Sequence, residues 1–151
     1  MWFSRKRVAR AVPDAAPPQA GASPGQVTTK SRGDAAEAAA RTYLAGAGLV
    51  LVETNYRTPG RGGGEIDLVM RAPDGTLVFV EVRQRASASH GGAGASISAV
   101  KQKRIIFAAT HYLMRFGSPP PCRFDVVLVD GPQNNGAAPA MEWLKGAFDA
   151  S

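Results

Sequence analysis

The chain has 151 residues, enough for one domain with a substantial hydrophobic core. No apolar run approaches the roughly 20 residues of a membrane-spanning helix, so we expect no membrane partner. One cysteine and two histidines exclude an internal disulfide and a zinc cluster of cysteine and histidine. The formal net charge of +6 is concentrated in the first 33 residues, which hold six basic residues against one acidic.

The first segment, residues 1–27, is rich in proline, alanine and glycine and has no apolar periodicity. We therefore predict a disordered basic tail, followed by a folded domain over residues 28–151. Charges and prolines interrupt any hydrophobic stretch of signal-peptide type, which favours a cytoplasmic protein. The tail is either a salt-dependent contact for phosphate backbones or a solvated segment without a role.

The next predicted elements are a helix and a strand. Asp34 is a candidate N-cap for a helix over residues 35–47, which two glycines then end. A strand follows over residues 49–57. The glycine-rich segment 60–64 lacks the Gly-Lys-Ser/Thr ending of a phosphate-binding loop and precedes a strand, so we interpret it as an ordinary loop.

A β-hairpin is predicted next, with strands near residues 64–71 and 76–84. The sequence Pro73-Asp74-Gly75 is typical of a three-residue loop in which glycine adopts the left-handed conformation. This loop pairs Arg71 with Leu77 and Val69 with Phe79. The same count places Asp67 opposite Glu81 and Glu65 opposite Arg83, and directly opposed residues share a face.

Two carboxylates on one sheet face need an explanation. The opposite face is predicted to be core and carries only apolar side chains: Ile66, Leu68, Met70, Val78, Val80 and Val82. Like charges directly opposite each other destabilise a sheet, so a cation is expected between Asp67 and Glu81. A hard divalent ion such as Mg²⁺ fits that position. The alternative is a surface ion-pair cluster in which Arg83 or Arg85 neutralises the pair.

After a loop over residues 86–94, Ser96 or Ser98 can cap a long second helix that reaches about Phe116. Two apolar stripes give this helix a broad apolar surface; one contains Val100, Arg104, Phe107 and His111, and the other Ile105, Ala109, Tyr112 and Phe116. The clustered cations Lys101, Lys103 and Arg104 near its start predict either a phosphate site or a solvated charged face. A strand over residues 123–130 follows three prolines, which completes a mixed α/β sheet flanked by helices.

The hairpin resembles the PD-(D/E)xK nuclease pattern, in which Asp precedes a turn and Glu-x-Lys lies on the next strand. Gly64-Glu65-Ile66-Asp67 and Phe79-Val80-Glu81-Val82-Arg83 resemble the YraN family of uncharacterised bacterial proteins. Further matches are Gly33-Asp34, Glu37, Asn55, the Lys-rich second helix, Arg123-Phe124-Asp125-Val126-Val127 and Glu142-Trp143. The resemblance covers roughly residues 28–150. It implies a restriction-endonuclease-like fold of order α-β-β-β-α-β, with room for a short C-terminal strand, akin to archaeal Holliday-junction resolvases.

The resemblance also implies a site. Asp67, Glu81 and the backbone carbonyl of Val82 would hold Mg²⁺ or Mn²⁺, and Glu37 would hold a water beside the metal. Arg83 falls where this nuclease superfamily usually has lysine; a guanidinium stays protonated and cannot act as a general base, although it can hold a phosphate. The expected nucleic-acid contacts are Lys101, Lys103, Arg104 and Arg85.

The leading hypothesis is therefore a metal-dependent DNA endonuclease that acts on branched or single-stranded DNA. The main alternative is a nucleic-acid-binding module that keeps the nuclease fold without turnover, and Arg83 is the residue that favours it. A scaffold protein that meets other proteins through its helices is a third reading. A symmetric homodimer would suit a branched substrate, but no feature of the sequence specifies an interface.

Overall fold

The structure is a computed structural model that describes residues 29–85, 97–131 and 140–150. The predicted tail over residues 1–27, the loop over residues 86–94 and the candidate cap Ser96 lie outside these ranges, so they stay predictions. The chain divides into two compact units, Met1–Arg32 and Gly33–Ser151. Of the first unit the structure describes residues 29–32, which form the first turn of a helix.

The described residues form two helices and five strands. In chain order these are α1 (Thr29–Gly46), β1 (Val50–Arg57), β2 (Glu65–Arg71), β3 (Leu77–Arg85), α2 (Ala99–Leu113), β4 (Cys122–Asp130) and β5 (Met141–Phe148). The strands form a sheet of order β1-β2-β3-β4-β5, in which β3 and β4 are parallel and the other neighbours are antiparallel. The predicted mixed α/β class and element order are confirmed, and the C-terminal strand is present as β5. Neither described helix is long and apolar enough to cross a membrane.

The hairpin of β2 and β3 has the predicted loop. The Gly75 amide donates to the Ala72 carbonyl at 2.9 Å, and Gly75 adopts a φ of 93°, which glycine tolerates without strain. The paired rungs run from Arg71–Leu77 to Leu68–Val80, in the predicted register. A three-residue turn thus sets the alignment of the two strands.

Helices cover both faces of the sheet, as the predicted class implies, so both faces of the hairpin contribute to buried clusters and not only its predicted core face. On one face α1 contributes Ala36, Ala40 and Leu44 to a buried cluster with Leu68, Met70, Val78 and Val80. On the other face α2 contributes Ile105, Ala108, Ala109 and Tyr112 to a cluster with Val69, Leu77 and Phe79. Ile66 packs in this second cluster, contrary to the prediction, because it pairs with Tyr56 of β1, which packs against α2.

The observed ends of α1 and α2 differ in part from the predicted ones. α1 begins at Thr29, so Asp34 lies inside the helix and is not its N-cap. Gly33 is unfavourable in a helix but does not end it. Ser98 caps α2 as predicted, since its hydroxyl accepts the Lys101 amide at 3.1 Å. α2 ends at Leu113, three residues before the predicted Phe116.

One of the two apolar stripes predicted on α2 is buried and the other is not. Ile105, Ala109 and Tyr112 are at most 2% exposed, as the second stripe requires. Val100 and Phe107, from the first stripe, are 68% and 55% exposed. A helix lying on a sheet buries about one face, so the second stripe lies in the core while these two residues of the first stripe stay exposed.

Asp125 on β4 ties β5 to the sheet. Its carboxylate is fully buried and accepts from Arg123 Nε at 3.0 Å, from Trp143 Nε1 at 2.8 Å and from the Gly146 amide at 3.0 Å. Buried carboxylates are normally satisfied in this way. Asp125 therefore has a structural explanation within the described residues and needs no further ligand.

Candidate metal-binding site

Asp67 on β2 and Glu81 on β3 lie one rung beyond Leu68–Val80, the last paired rung of the hairpin at that end. Asp67 is 9% exposed and Glu81 is 7% exposed. Side chains alternate along a strand, and the two carboxylates adjoin Leu68 and Val80, which both pack in the cluster on the α1 side of the sheet. The predicted pairing of two carboxylates on adjacent strands is thus present in space.

The surroundings of the two carboxylates are unequal. The Val82 amide donates to Asp67 Oδ2 at 2.8 Å, which orients that carboxylate from the backbone. Glu81 hydrogen-bonds the Asp67 side chain, and its Oε2 lies 3.6 Å from Lys101 Nζ. Among the described residues, Glu81 Oε1 is the one buried side-chain polar atom without a hydrogen-bond partner. A buried acceptor left unsatisfied is costly, and a bound ion is one way to satisfy it.

Burial raises the pKa of both groups. Burial raises the pKa of Glu81 to about 8; the charge of Asp67 adds to this, and the charge of Lys101 opposes it. Burial also raises the pKa of Asp67, while the hydrogen bond from the Val82 amide lowers it. At neutral pH Glu81 therefore carries a proton that it donates to Asp67. A divalent cation could replace that proton and satisfy both carboxylates.

These raised pKa values predict a pH dependence of stability without metal. An unfolded chain releases these protons near pH 4–5, whereas the folded protein retains the Glu81 proton up to about pH 8. The folded state thus binds more protons over this interval, so the free energy of unfolding should fall as pH rises, by up to about 1.4 kcal/mol per pH unit for one proton.

Thermal melts in EDTA between pH 5 and 9 measure this fall in the free energy of unfolding. In Glu81→Gln the amide cannot titrate, so the same interval should show a shallower decline. An unchanged slope in that variant would contradict the assignment of the proton to Glu81.

Glu37 approaches the pair from α1. It is half-buried and lines a cavity of about 200 Å³ with Asp34, Arg41 and Asn55. Burial raises the pKa of Glu37, the charge of Asp67 adds to this, and a hydrogen bond from the Asn55 side chain opposes it. Asn55 adopts a φ of 53°, an uncommon conformation for a residue other than glycine. The sequence suggested no contact between Asn55 and Glu37.

The acidic residues do not form a closed metal cage. Within residues 29–85, 97–131 and 140–150, no three His, Cys, Asp or Glu side chains stand close enough to hold a metal ion together. Two carboxylates with an open acceptor still suit Mg²⁺ or Mn²⁺, which keep several waters and often use one or two carboxylates. The residues present therefore fit such an ion through Asp67 and Glu81, while Glu37 and the Val82 carbonyl stay predictions.

The predicted basic contacts separate in space. Lys101 reaches Glu81, and Arg104 lines a cavity of about 190 Å³ with Arg57 and the glycine-rich loop. Lys103 is exposed and Arg83 is half-buried on β3. The position of Lys101 beside the carboxylates was not foreseen, because the sequence indicated only a general phosphate site.

Arg85, also predicted to contact nucleic acid, has carboxylate partners in the described structure. Its guanidinium binds Asp130 Oδ1 and lies 3.1 Å from Glu142 Oε1. The Arg85 side chain is 10% exposed. Its charge is thus compensated within the sheet, and its role in DNA binding stays a prediction.

The family model and the similar proteins that match this chain carry the same family description. The sequence model of the uncharacterised protein family UPF0102 matches residues 36–129. A UPF0102 protein of Polaromonas naphthalenivorans is 73% identical over 153 residues, covering 100% of both chains. One from Albidiferax ferrireducens is 65% identical over 82% of this chain and 91% of its own, and one from Cupriavidus pinatubonensis is 52% identical over 81% and 88%.

Proposed function

The chain belongs to the uncharacterised protein family UPF0102, the YraN family that its motifs resemble, and we propose that it is a metal-dependent DNA endonuclease. The observation that carries this proposal is Glu81 Oε1, a buried acceptor without a partner in the described structure, beside the second buried carboxylate of Asp67. Asp125 shows how the same fold satisfies a structural carboxylate. The contrast favours a ligand at Glu81.

The chemistry of the donors favours a hard cation. The two side chains offer only oxygen, and the chain has too few cysteines and histidines nearby to favour a softer metal. Asp67, Glu81 and the Val82 carbonyl would hold Mg²⁺ or Mn²⁺. When bound, the ion supplies positive charge that polarises the scissile phosphate and lowers the pKa of water.

The protein's own groups orient the reactants. The Val82 amide holds Asp67 in place, and Glu37 with Asn55 faces a cavity where a water can sit. Arg83 would bind a phosphate oxygen. In the hydrolysis, the water oxygen forms a bond to phosphorus and the bond from phosphorus to the leaving oxygen breaks. One proton of the water leaves to a base or to solvent, and the leaving oxygen takes up a proton to become a hydroxyl.

A polyanionic substrate fits the exposed cations near the site. Lys103 is exposed on α2, and Arg57 and Arg104 line the cavity beside the glycine-rich loop. Phosphate contacts of this kind position a nucleic acid without reading its sequence. The preference for branched or single-stranded DNA rests on the resemblance to Holliday-junction resolvases alone, and a DNA substrate fits a cytoplasmic location.

The test is cleavage of a panel of linear duplex, single-stranded, flap and four-way-junction DNAs in Mg²⁺ or Mn²⁺. We expect cleavage of at least one substrate by the parent, none in EDTA, and none by Asp67→Ala/Glu81→Ala. The double variant should remain folded, because it removes two carboxylates whose charged forms are disfavoured by burial. Absence of cleavage by the parent in every metal would contradict the proposal.

A second candidate is a nucleic-acid-binding module without turnover. Two observations favour it: Arg83 stands where lysine is usual, and no cluster of three metal-ligating side chains is present in the described ranges. DNA binding that survives EDTA, without cleavage, would select this function. Failure to bind any nucleic acid at low salt would contradict both candidates and favour a scaffold protein.

A further inference from the structure

The carboxylate pair has a lysine beside it, although not on the strand where the nuclease pattern has one. Lys101 lies in the first turn of α2, and its Nζ is 3.6 Å from Glu81 Oε2. Arg83, on β3, occupies the usual position of the lysine. We propose that Lys101 supplies the ammonium for this site from α2, and that it binds the scissile phosphate and the attacking water; this inference rests on the proposed nuclease function.

The fold holds this part of α2 firmly against the carboxylate pair. Ser98 caps the helix by accepting the Lys101 amide, and the helix begins at Ala99, two residues before Lys101. One turn later Ile105 is 1% exposed and packs in the cluster between α2 and the sheet. Residues four apart lie on the same helix face, so the burial of Ile105 directs Lys101 toward the sheet.

The contact between Lys101 and Glu81 leaves room for a substrate. At 3.6 Å, Lys101 Nζ and Glu81 Oε2 are neighbours but are farther apart than the atoms of a normal hydrogen bond. An ammonium has three donors, and the Lys101 side chain is 36% exposed. It can therefore face the carboxylate on one side and a phosphate oxygen or water on the other.

The substrate needs such a cation. A phosphodiester that approaches Asp67 and Glu81 brings negative charge to a buried, negatively charged pair. A compact ammonium can follow the phosphate and water as charge develops, which a planar guanidinium at Arg83 does less freely. Of the three cations predicted on α2, Lys101 has the carboxylate contact, whereas Lys103 is exposed and Arg104 lines the cavity of the glycine-rich loop.

The experiment compares Lys101→Met with Lys145→Met as a matched control. Lys145 is an exposed lysine on β5 whose Nζ lies 4.4 Å from the centre of the Trp143 ring, so its replacement removes the same charge away from the site. We expect Lys101→Met to cleave DNA at least about 100-fold more slowly, and Lys145→Met to cleave like the parent.

Calorimetric titration with Mn²⁺ provides a readout besides activity. Lys101 offsets the charge of the carboxylates, so its loss should tighten Mn²⁺ binding, on the order of tenfold, while Lys145→Met leaves it unchanged. A Lys101 that merely supports the fold would, when replaced, lower the melting temperature and weaken metal binding. That result would overturn the inference.

A double variant that moves the lysine from α2 to β3 provides a third test. In Lys101→Met/Arg83→Lys the ammonium returns to the strand position, and we expect partial recovery of cleavage. A double variant no better than Lys101→Met would overturn the inference that Lys101 supplies from α2 the ammonium that the nuclease pattern has on the strand. If the parent cleaves and Lys101→Met cleaves equally well, the inference fails while the nuclease function stands; if the parent never cleaves, the nuclease function itself fails.

Discussion

Replacement of Asp67 by asparagine should abolish divalent-metal binding and slow DNA cleavage on the order of a thousandfold or more, without unfolding the protein. The amide oxygen can still accept the Val82 amide hydrogen bond, so the local geometry survives. Burial disfavours the charged form of Asp67, so a neutral amide at this position should, without metal, raise the free energy of unfolding by up to about 1 kcal/mol.

Titration with Mn²⁺, thermal melts in EDTA and the cleavage assay together measure this prediction. Asp74→Asn is the matched control, because Asp74 is exposed in the hairpin loop and its side chain accepts the Thr76 amide, as asparagine also can. The control should bind metal and cleave like the parent. An Asp67→Asn protein that unfolds, or that binds Mn²⁺ as tightly as the parent, would contradict the metal assignment.

Replacement of Gly64 by alanine should destabilise the protein by about 3 kcal/mol or more. A Cβ at Gly64 would lie 1.8 Å from the Arg104 carbonyl oxygen and 2.8 Å from its carbonyl carbon. These are backbone atoms of α2, which cannot move aside as the end of a flexible side chain can. The substitution would have to push α2 away from β2, and a fall in melting temperature on the order of 10 °C is expected.

Gly33→Ala is the matched control for Gly64→Ala. Gly33 lies inside α1, and apart from its chain neighbours and the nearby helix backbone no atom of the described residues stands within 4 Å of the position of an added Cβ. Alanine is the better helix former, so this control should gain up to about 1 kcal/mol. A Gly64→Ala protein that melts with the parent would refute the close packing of the glycine-rich loop on α2, and with it the firm placement of Lys101.

The hairpin and its carboxylate pair were predictable from the sequence because the relevant interactions are local. A three-residue loop sets the register of β2 and β3, and the two-residue period of a strand then decides which side chains share a face. Asp67 and Glu81 are 14 positions apart and are connected through that loop. Their proximity therefore follows from short-range rules.

The arrangement around the pair depends on contacts between elements that are distant in sequence. Helical periodicity predicts two apolar stripes on α2, but the sheet decides that the stripe of Ile105 is buried and that of Phe107 is exposed. The position of Lys101 beside Glu81 and the partners of Arg85 depend in the same way on how α2 and β4 dock.

The sequence by itself determined the order of elements, the hairpin register and the placement of Asp67 and Glu81 on adjacent strands, because hydrogen-bonded turns and side-chain periodicity act between near neighbours. The tertiary structure decided which cation reaches the carboxylates and which charges are neutralised elsewhere. The physical reason is that ion pairs and the packing of helices on a sheet depend on distances between elements, which no local pattern specifies.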